Sequence, residues 1–266
     1  MTFFEHFIAS FHESQAFRAE QIAQGTLSEI PLLNWKFCLL MNIFYFVTLK
    51  FLFKFMEKRE GYKLRTFMIF YNISCVILAS TCLYGGIVYY YFKSHAGLYC
   101  NNLDYNSPNT KAVIFYYCVF HFQKYWEFLD TFIFILRKSY RQVTFLHVYH
   151  HSSITLVTLL VSMYLPAGDN TIAMVLNSFV HVLMYSHYLC AVLKIKVWWR
   201  QILTKLQLIQ FVIILGVNFM DLVKGCSNPF WVCTGMIGYM ITMLILFGNF
   251  YIQRYLQPAE EKPKAM

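Results

Sequence analysis

The chain contains seven long runs of apolar residues, and these runs limit the folds that are available to it. Each run covers more than 20 positions, and an α-helix needs about 20 apolar residues to cross the hydrocarbon core of a bilayer. Because lipid offers no hydrogen-bond partners to the backbone, each run is expected to form one continuous helix. The predicted spans are Leu32–Phe55, Thr66–Phe92, Ala112–Leu136, Val143–Leu165, Thr171–Leu193, Ile202–Val223 and Phe230–Tyr255.

The composition is that of a membrane protein rather than of a water-soluble one. Only 13% of the 266 residues are charged and 58% are hydrophobic, whereas about 25% of the residues in a soluble domain are charged. The net charge of +9 does not indicate a nucleic-acid partner, because the basic residues lie in short clusters between the apolar runs. We therefore predict an all-α, polytopic membrane protein with seven transmembrane helices.

Basic residues lie mainly on one side of the predicted spans, with thirteen there against four on the other side. The positive-inside rule then places the N-terminus in the lumen and the C-terminus in the cytosol. The first group is Lys58, Arg59, Lys63, Arg65, Arg137, Lys138, Arg141, Lys194, Lys196, Arg200, Arg254, Lys262 and Lys264; the second is Arg18, Lys93, Lys111 and Lys224. The chain divides into a lumenal, weakly amphipathic segment at 1–31, a membrane domain at 32–255 and a cytosolic tail at 256–266.

The two ends of the chain indicate where the protein resides. Residues 1–30 carry four glutamates and lack the basic start and apolar stretch of a cleavable signal peptide. The last five residues, Lys262-Pro263-Lys264-Ala265-Met266, match the Lys-x-Lys-x-x pattern of cytosolic retrieval signals. We therefore predict a multi-pass protein of the endoplasmic reticulum membrane.

The positions of the eight cysteines predict one disulfide. Cys100 and Cys226 both fall in loops on the predicted lumenal side, where the environment is oxidising. We expect them to pair with each other, with Cys233 as the alternative partner. No C-x-x-C motif is present, so no metal site is predicted from the cysteines.

Predicted span three carries Lys124, Glu127, Asp130 and Thr131. With about 3.6 residues per turn, Lys124, Glu127 and Thr131 lie within roughly 60° of one another and Asp130 lies about 60° further round. Ionisable groups inside a membrane are expensive and usually mark a functional interior. The alternative is a structural ion-pair network that holds the bundle together.

Predicted span four begins with three histidines, His147, His150 and His151, which share about 100° of arc. Imidazole can exchange a proton near neutral pH, act as a nucleophile or bind a metal. Three such side chains on one face near the cytosolic end of a lipid-embedded helix are difficult to explain by packing alone. They are therefore candidate catalytic residues.

Spans five and six add polar side chains that also lie in the cytosolic or middle part of the bilayer. On each span these residues share one helical face. They are Asn177, His181, Tyr185 and Tyr188 on span five, and Gln207 and Gln210 on span six. Together with spans three and four they predict a buried polar chamber that opens to the cytosol and continues toward the lumen between apolar walls, which suits a ligand with a polar head and an acyl tail.

The motifs resemble those of the very-long-chain fatty acid elongases, the membrane-bound 3-ketoacyl-CoA synthases. The resemblance covers residues 30–266, and it departs from the family at His187, where the third motif usually has the first of two tyrosines. The motifs are Lys124-x-x-Glu127-x-x-Asp130-Thr131, His147-x-x-His150-His151, Asn177-x-x-x-His181-x-x-Met184-Tyr185 and Thr204-x-x-Gln207-x-x-Gln210.

The resemblance implies a reaction without a cofactor, in which an acyl-CoA condenses with malonyl-CoA to give a 3-ketoacyl-CoA, CO2 and CoA. Partner enzymes of the same membrane, a ketoacyl-CoA reductase, a dehydratase and an enoyl-CoA reductase, would complete the cycle. The implied fold is a bundle of seven helices that encloses a narrow acyl tunnel. Acyl chain length, unsaturation and oligomeric state stay open, and a homodimer is compatible with the sequence.

The resemblance also points to His150 as the nucleophile that forms an acyl-imidazole. Glu127 or Asp130 is expected to orient its ring, as in a catalytic triad. Candidates for stabilising the enolate are Lys124, Asn177 and His181, while His147 and His151 are expected to transfer protons or to orient His150. The basic cytosolic loops offer partners for the phosphates of CoA at Arg137, Lys138, Lys194 and Arg200.

Two other classes of function fit parts of the sequence. An H-x-x-H-H box also occurs in di-iron membrane desaturases and hydroxylases, but those enzymes need about eight histidines in three boxes, and further boxes are absent. Seven spans would suit a receptor or a transporter, yet transporters often contain internal repeats, and the motifs of spans three and four are not repeated.

Overall fold

The computed structural model describes residues 2–23, 33–101, 104–199 and 202–256, which form helices and contain no strand. Arg200 and the Lys-x-Lys-x-x tail lie outside these ranges. The α-helices are α1 (Phe3–Ala23), α2 (Trp35–Met56), α3 (Arg65–Gly85), α4 (Pro108–Trp126), α5 (Phe128–Leu136), α6 (Phe145–Tyr164), α7 (Thr171–Leu193), α8 (Leu203–Lys224) and α9 (Phe230–Tyr251). A π-helical turn, Gly86–Phe92, extends α3, another at Ile252–Leu256 extends α9, and a short 3₁₀ turn forms at Tyr140–Gln142.

Five of these helical segments are long and apolar enough to cross a membrane. They are Trp35–Met56, Arg65–Phe92, Thr171–Leu193, Leu203–Lys224 and Phe230–Leu256, and each overlaps a predicted span. The other two predicted spans coincide with α4–α5 and α6, which carry many of the buried polar residues and do not belong to that set. The all-α prediction is confirmed, whereas the number of seven spans stays a prediction.

The third predicted span is not one continuous helix, and that expectation was wrong. Glu127 (ψ −11°) ends α4 and begins α5. The amide of Asp130 donates to the carbonyl of Glu127, a tight turn of the 3₁₀ type. The Glu127 side chain makes buried hydrogen bonds with Gln123 and His181. The break between α4 and α5 therefore coincides with a polar residue of the core.

Six helices form a closed ring in the order α3, α7, α8, α9, α6, α4, and α4 contacts α3 again. Helix α2 packs on the outside against α5 and α6, and α1 packs against α9 and α6. Two glycines allow the close approach of α3 and its π-turn to their neighbours. A Cβ atom at Gly85 would lie 2.1 Å from the Tyr116 ring, and one at Gly86 would lie 2.3 Å from Val175.

One end of the bundle, called here the disulfide end, consists of the described loop residues at 93–101, 104–107, 165–170 and 225–229. The structure joins Cys100 to Cys226 there, the predicted pair, while Cys233 is free and buried. Asp169 links the same loops, because its carboxylate accepts hydrogen bonds from the Asn101 amide at 3.1 Å and from the Asn228 side chain at 3.0 Å. The opposite end, with the loops at 57–64, 137–144 and 194–199, is called the basic end.

Helix α1 lies at the disulfide end and packs on the ring of helices. The indole of Trp231 donates to Ser14 Oγ at 3.0 Å, and the Phe11 ring contacts that indole edge-on. Phe3 and Phe4 are exposed. One side of α1 is thus packed while aromatic residues at its start are exposed, and the interfacial role of this segment stays a prediction.

Candidate active site

A fully buried ion cluster joins α4 to α7. Lys124 and Glu127 are both 0% exposed, and the Lys124 ammonium lies 3.3 Å from Glu127 Oε2. The same ammonium donates to Asn177 Oδ1 at 2.8 Å, and His181 Nδ1 lies 2.7 Å from Glu127 Oε1. Gln123 donates to the same Glu127 oxygen at 2.8 Å. The predicted polar faces of spans three and five therefore meet.

The contact between Glu127 and His181 determines what the imidazole can do. A carboxylate accepts hydrogen bonds, so His181 is assigned the form that carries its proton on Nδ1. Its Nε2 atom is then the proton acceptor, held in place by the carboxylate as in the histidine–acid pair of a catalytic triad. His181 thus has an acidic partner in this site.

Glu127 and Asp130, the residues expected to orient His150, have other hydrogen-bond partners in the structure. Glu127 accepts from His181, and Asp130 Oδ2 accepts from the Tyr185 hydroxyl at 2.6 Å. Tyr185 is completely buried and was predicted to bind substrate, but its hydroxyl is used by Asp130. The register of α4, α5 and α7 decides these partners, since Glu127 and Asp130 differ by about 4.5 Å along a helix axis.

The three histidines of α6 lie together, as their shared face predicts. The ring centres of His147 and His151 are 4.3 Å apart, and those of His150 and His151 are 5.4 Å apart. His147 Nε2 lies 2.9 Å from Thr131 Oγ1, which also lies 2.8 Å from the Tyr45 hydroxyl. His147 is therefore held by α5 and α2, while His150 contacts the Phe247 ring of α9.

His150 also lines a narrow apolar cavity inside the ring of helices. This apolar cavity has a volume of about 50 Å³ and continues from His150 toward the disulfide end. Asn177 of the ion cluster lines it as well, so the α6 histidines and the ion cluster meet at its wall. Its other lining residues include Tyr117, Phe120, Asn170, Gln210, Tyr239 and four methionines, Met174, Met236, Met240 and Met243.

The apolar cavity does not amount to the predicted acyl tunnel. A cavity needs about 10–15 Å³ to hold one water molecule, so 50 Å³ accommodates a few waters and not a long acyl chain. The methionines that line it have flexible, unbranched side chains that adapt readily to a ligand. The acyl tunnel therefore stays a prediction.

A second cavity, of about 660 Å³, opens at the basic end. Arg137 and Lys194, two of the predicted phosphate partners, line it. Lys63 and Arg65 line it as well, although the sequence suggested them only as cytosolic basic residues. Lys138 does not line this basic-end cavity, because its ammonium donates to the Glu57 carbonyl at 3.4 Å. The predicted partner Arg200 lies outside the described residues.

The remaining predicted residues are placed as follows. Tyr188 lines the basic-end cavity together with Asp130, and Gln210 is buried against the apolar cavity. Gln207 is half-buried and lines neither of the two cavities. His187, at the position where the sequence departs from the family motif, is half-buried and contacts the Tyr188 ring.

Two residues near the site escaped the sequence reasoning. Gln123 binds Glu127, and its spacing of four residues is the one that brings side chains together on a helix. The Tyr239 hydroxyl of α9 lies 3.1 Å from Ser153 Oγ, one turn beyond His150. Nothing in the sequence around Tyr239 distinguishes it from an ordinary membrane tyrosine.

Comparison with known proteins agrees with the motifs. The ELO family, described as the GNS1/SUR4 family, matches residues 30–263. Very long chain fatty acid elongase 2 of Mus musculus is 36% identical over 212 residues, which are 79% of this chain and 72% of that protein. Very long chain fatty acid elongase 5 of Bos taurus is 34% identical over 256 residues, 94% of this chain and 85% of that protein.

The match includes the residues that build the site described above, from the ion cluster to the α6 histidines and the two cavities. Five helices able to cross a membrane also agree with relatives of this kind, and the chain is a multi-pass membrane protein. The chain therefore belongs to the ELO family of GNS1/SUR4 proteins.

Proposed function

We propose that the chain is a fatty acid elongase that condenses a long-chain acyl-CoA with malonyl-CoA to a 3-ketoacyl-CoA, CO2 and CoA. The elongases among its relatives support the reaction class. The observation that carries the site assignment is the position of His150 on the wall of the apolar cavity, which Asn177 of the ion cluster also lines.

In the first step, a ring nitrogen of His150 attacks the thioester carbonyl, and the bond from carbon to sulfur breaks. An acyl-imidazole forms and CoA leaves as a thiol, with the proton that the imidazole gives up. His181 supports this step, because Glu127 holds its Nδ1–H and leaves Nε2 to accept and return a proton.

In the second step, malonyl-CoA loses CO2, and the resulting enolate attacks the acyl-imidazole to form the new carbon–carbon bond. His150 is released and takes up one proton, which the solvent supplies, and the product is two carbons longer. Asn177 is the candidate for stabilising the enolate oxygen, since its Oδ1 accepts from Lys124 and its NH2 group is left to donate. Lys124 acts as a positioning residue for Asn177 and Glu127.

The two cavities suit the two parts of the substrate. Positive side chains around the basic-end cavity suit the phosphates of CoA, and the apolar cavity suits the acyl chain once the methionines move aside. Thioester exchange and decarboxylation need no cofactor. A di-iron centre has less support, because the described residues contain no group of three or more histidines, cysteines or acids that could hold a metal ion.

The proposed setting is the endoplasmic reticulum membrane, with the basic end in the cytosol, the disulfide end in the lumen and the retrieval signal at the cytosolic C-terminus. This orientation follows the distribution of basic residues. Seven spans, with α4–α5 and α6 crossing beside the five apolar segments, complete the proposal. A ketoacyl-CoA reductase, a dehydratase and an enoyl-CoA reductase would act on the product, and a homodimer remains compatible with it.

The reaction is tested with purified protein in detergent and with malonyl-CoA labelled at its free carboxyl carbon. We expect labelled CO2 to be released only when a long-chain acyl-CoA is present, together with a 3-ketoacyl-CoA that is two carbons longer. Release that does not depend on acyl-CoA, or no release with any chain length, would contradict the proposed function.

Neutralising one side chain of the basic-end cavity tests the CoA site. For Arg137→Gln we expect KM for acyl-CoA to rise by roughly three- to tenfold, with kcat little changed, because one charge-assisted hydrogen bond to phosphate is lost. The matched control is Lys138→Gln, which removes the same charge from a neighbour that points to the Glu57 carbonyl. Equal effects of the two substitutions would show that only the net charge matters.

A further inference from the structure

At its end toward the disulfide end, the apolar cavity is lined by a polar side chain that has no hydrogen-bond partner among the described residues. Asn170 is 1% exposed and lines this cavity. Neither its Oδ1 nor its Nδ2 makes a hydrogen bond within the described part of the chain. A buried amide without partners costs about 1–3 kcal/mol, so its presence at the wall of this cavity needs an explanation.

Capping of a helix does not supply that explanation. Asn170 occupies the N-cap position of α7, where an asparagine side chain normally accepts a hydrogen bond from the second or third amide of the helix. Its side chain makes no such bond here. The amide group is therefore presented to the cavity, at the end of the helix whose dipole favours an oxygen ligand.

Asn170 lies at a defined depth below the reaction centre. It precedes Asn177 by seven residues on α7, and Tyr117, which also lines the cavity, precedes Lys124 by seven on α4. With a rise of 1.5 Å per residue, both lie about 10 Å from the level where Lys124 contacts Asn177. The nucleophile His150 lies farther away, since His150 and Val161 line the cavity eleven residues apart on α6, about 16 Å along that axis. The amide thus lies where the far end of a bound acyl chain of suitable length would arrive.

We propose that Asn170 binds a hydroxyl group at the terminal (ω) carbon of the acyl chain, so that ω-hydroxyacyl-CoAs are a preferred substrate class. A hydroxyl both donates and accepts, which matches the acceptor and the donor of one amide. No lysine or arginine lines the apolar cavity, and a buried carboxylate without a cation would be far more costly than a hydroxyl. The inference rests on the proposed function, because it concerns the tail of the same substrate.

The test compares ω-hydroxyacyl-CoAs with unsubstituted acyl-CoAs over a series of chain lengths, by kcat/KM for condensation with malonyl-CoA. In the wild-type protein we expect an advantage of about tenfold for the hydroxylated chain, which corresponds to one hydrogen bond of about 1.4 kcal/mol. The advantage should peak at one length, because the depth of Asn170 is fixed. Asn170→Leu, similar in size and apolar, should abolish this advantage and accept the unsubstituted chain at least as well as the wild type does.

Asn218→Leu is the matched control. Asn218 is a buried asparagine of α8 that donates to the Ile214 carbonyl at 2.9 Å and does not line the apolar cavity. The Asn218→Leu variant should keep the preference for the hydroxylated chain. The wild-type series decides the question even if Asn170→Leu fails to fold: no advantage at any length would mean that the amide binds only water, and the inference would be wrong. If the protein condensed none of the acyl-CoAs in the series with malonyl-CoA, the proposed function itself would be refuted.

Discussion

His150→Ala is expected to abolish the covalent acyl-enzyme that forms when acyl-CoA is supplied without malonyl-CoA. Loss of the attacking nitrogen should also lower the rate of condensation by about 10³-fold or more, as is typical when a nucleophile is removed. The measurement is the mass of the intact protein after incubation with acyl-CoA, followed by a single-turnover assay. His187→Ala is the control, since this half-buried histidine lines neither cavity, and it should still form the adduct.

The rival nucleophile in this experiment is His181. Its Nδ1 is fixed by Glu127, so the orientation of its ring is set and its Nε2 is left to react. If the adduct persists in His150→Ala and disappears in His181→Ala, the two histidines exchange roles. If His181→Ala slows formation of the adduct without preventing it, His181 acts as the base that we propose.

The buried ion pair should show the second large effect. Lys124→Met or Glu127→Gln alone leaves the other member of a completely buried pair without its charge partner, which is expected to cost about 3–5 kcal/mol in the free energy of unfolding. The double variant should recover most of this loss, because both charges are removed together. Thermal unfolding in detergent measures the recovery, and the condensation assay follows activity in parallel.

The same three variants separate a structural role from a catalytic one. We expect the double variant to unfold near the wild-type temperature and yet to remain inactive, because the orienting carboxylate of His181 and the ammonium beside Asn177 are both gone. Recovery of condensation together with stability would contradict this expectation. In that case the cluster would only hold α4 against α7.

The helical faces were predictable from the sequence, because the position of a residue on a helix follows from its number. The shared arcs of His147, His150 and His151, and of Lys124 and Glu127, correspond to contacts in the structure. The same periodicity does not give the axial register between helices. Helical periodicity alone therefore could not predict that the carboxylate of Glu127 binds His181 rather than His150.

Two further features depend on interactions that a single sequence does not reveal. The break at Glu127 lies in a run that is apolar enough to suggest a continuous helix. It accompanies hydrogen bonds that this residue makes inside the core, and the sequence does not show those bonds. The width of the apolar cavity depends on the rotamers of its methionines, which hydropathy does not encode. The polar residues of the site could thus be predicted, whereas their partners could not.

The disulfide places a limit on the order in which the protein matures. Cys226 follows Cys100 by 126 residues, so α4 to α8 are all synthesised between the two cysteines. At about 5–20 residues per second, roughly 6–25 s of translation separate them. The early helices must therefore associate without the covalent link, and a chain that terminates before residue 226 never acquires it.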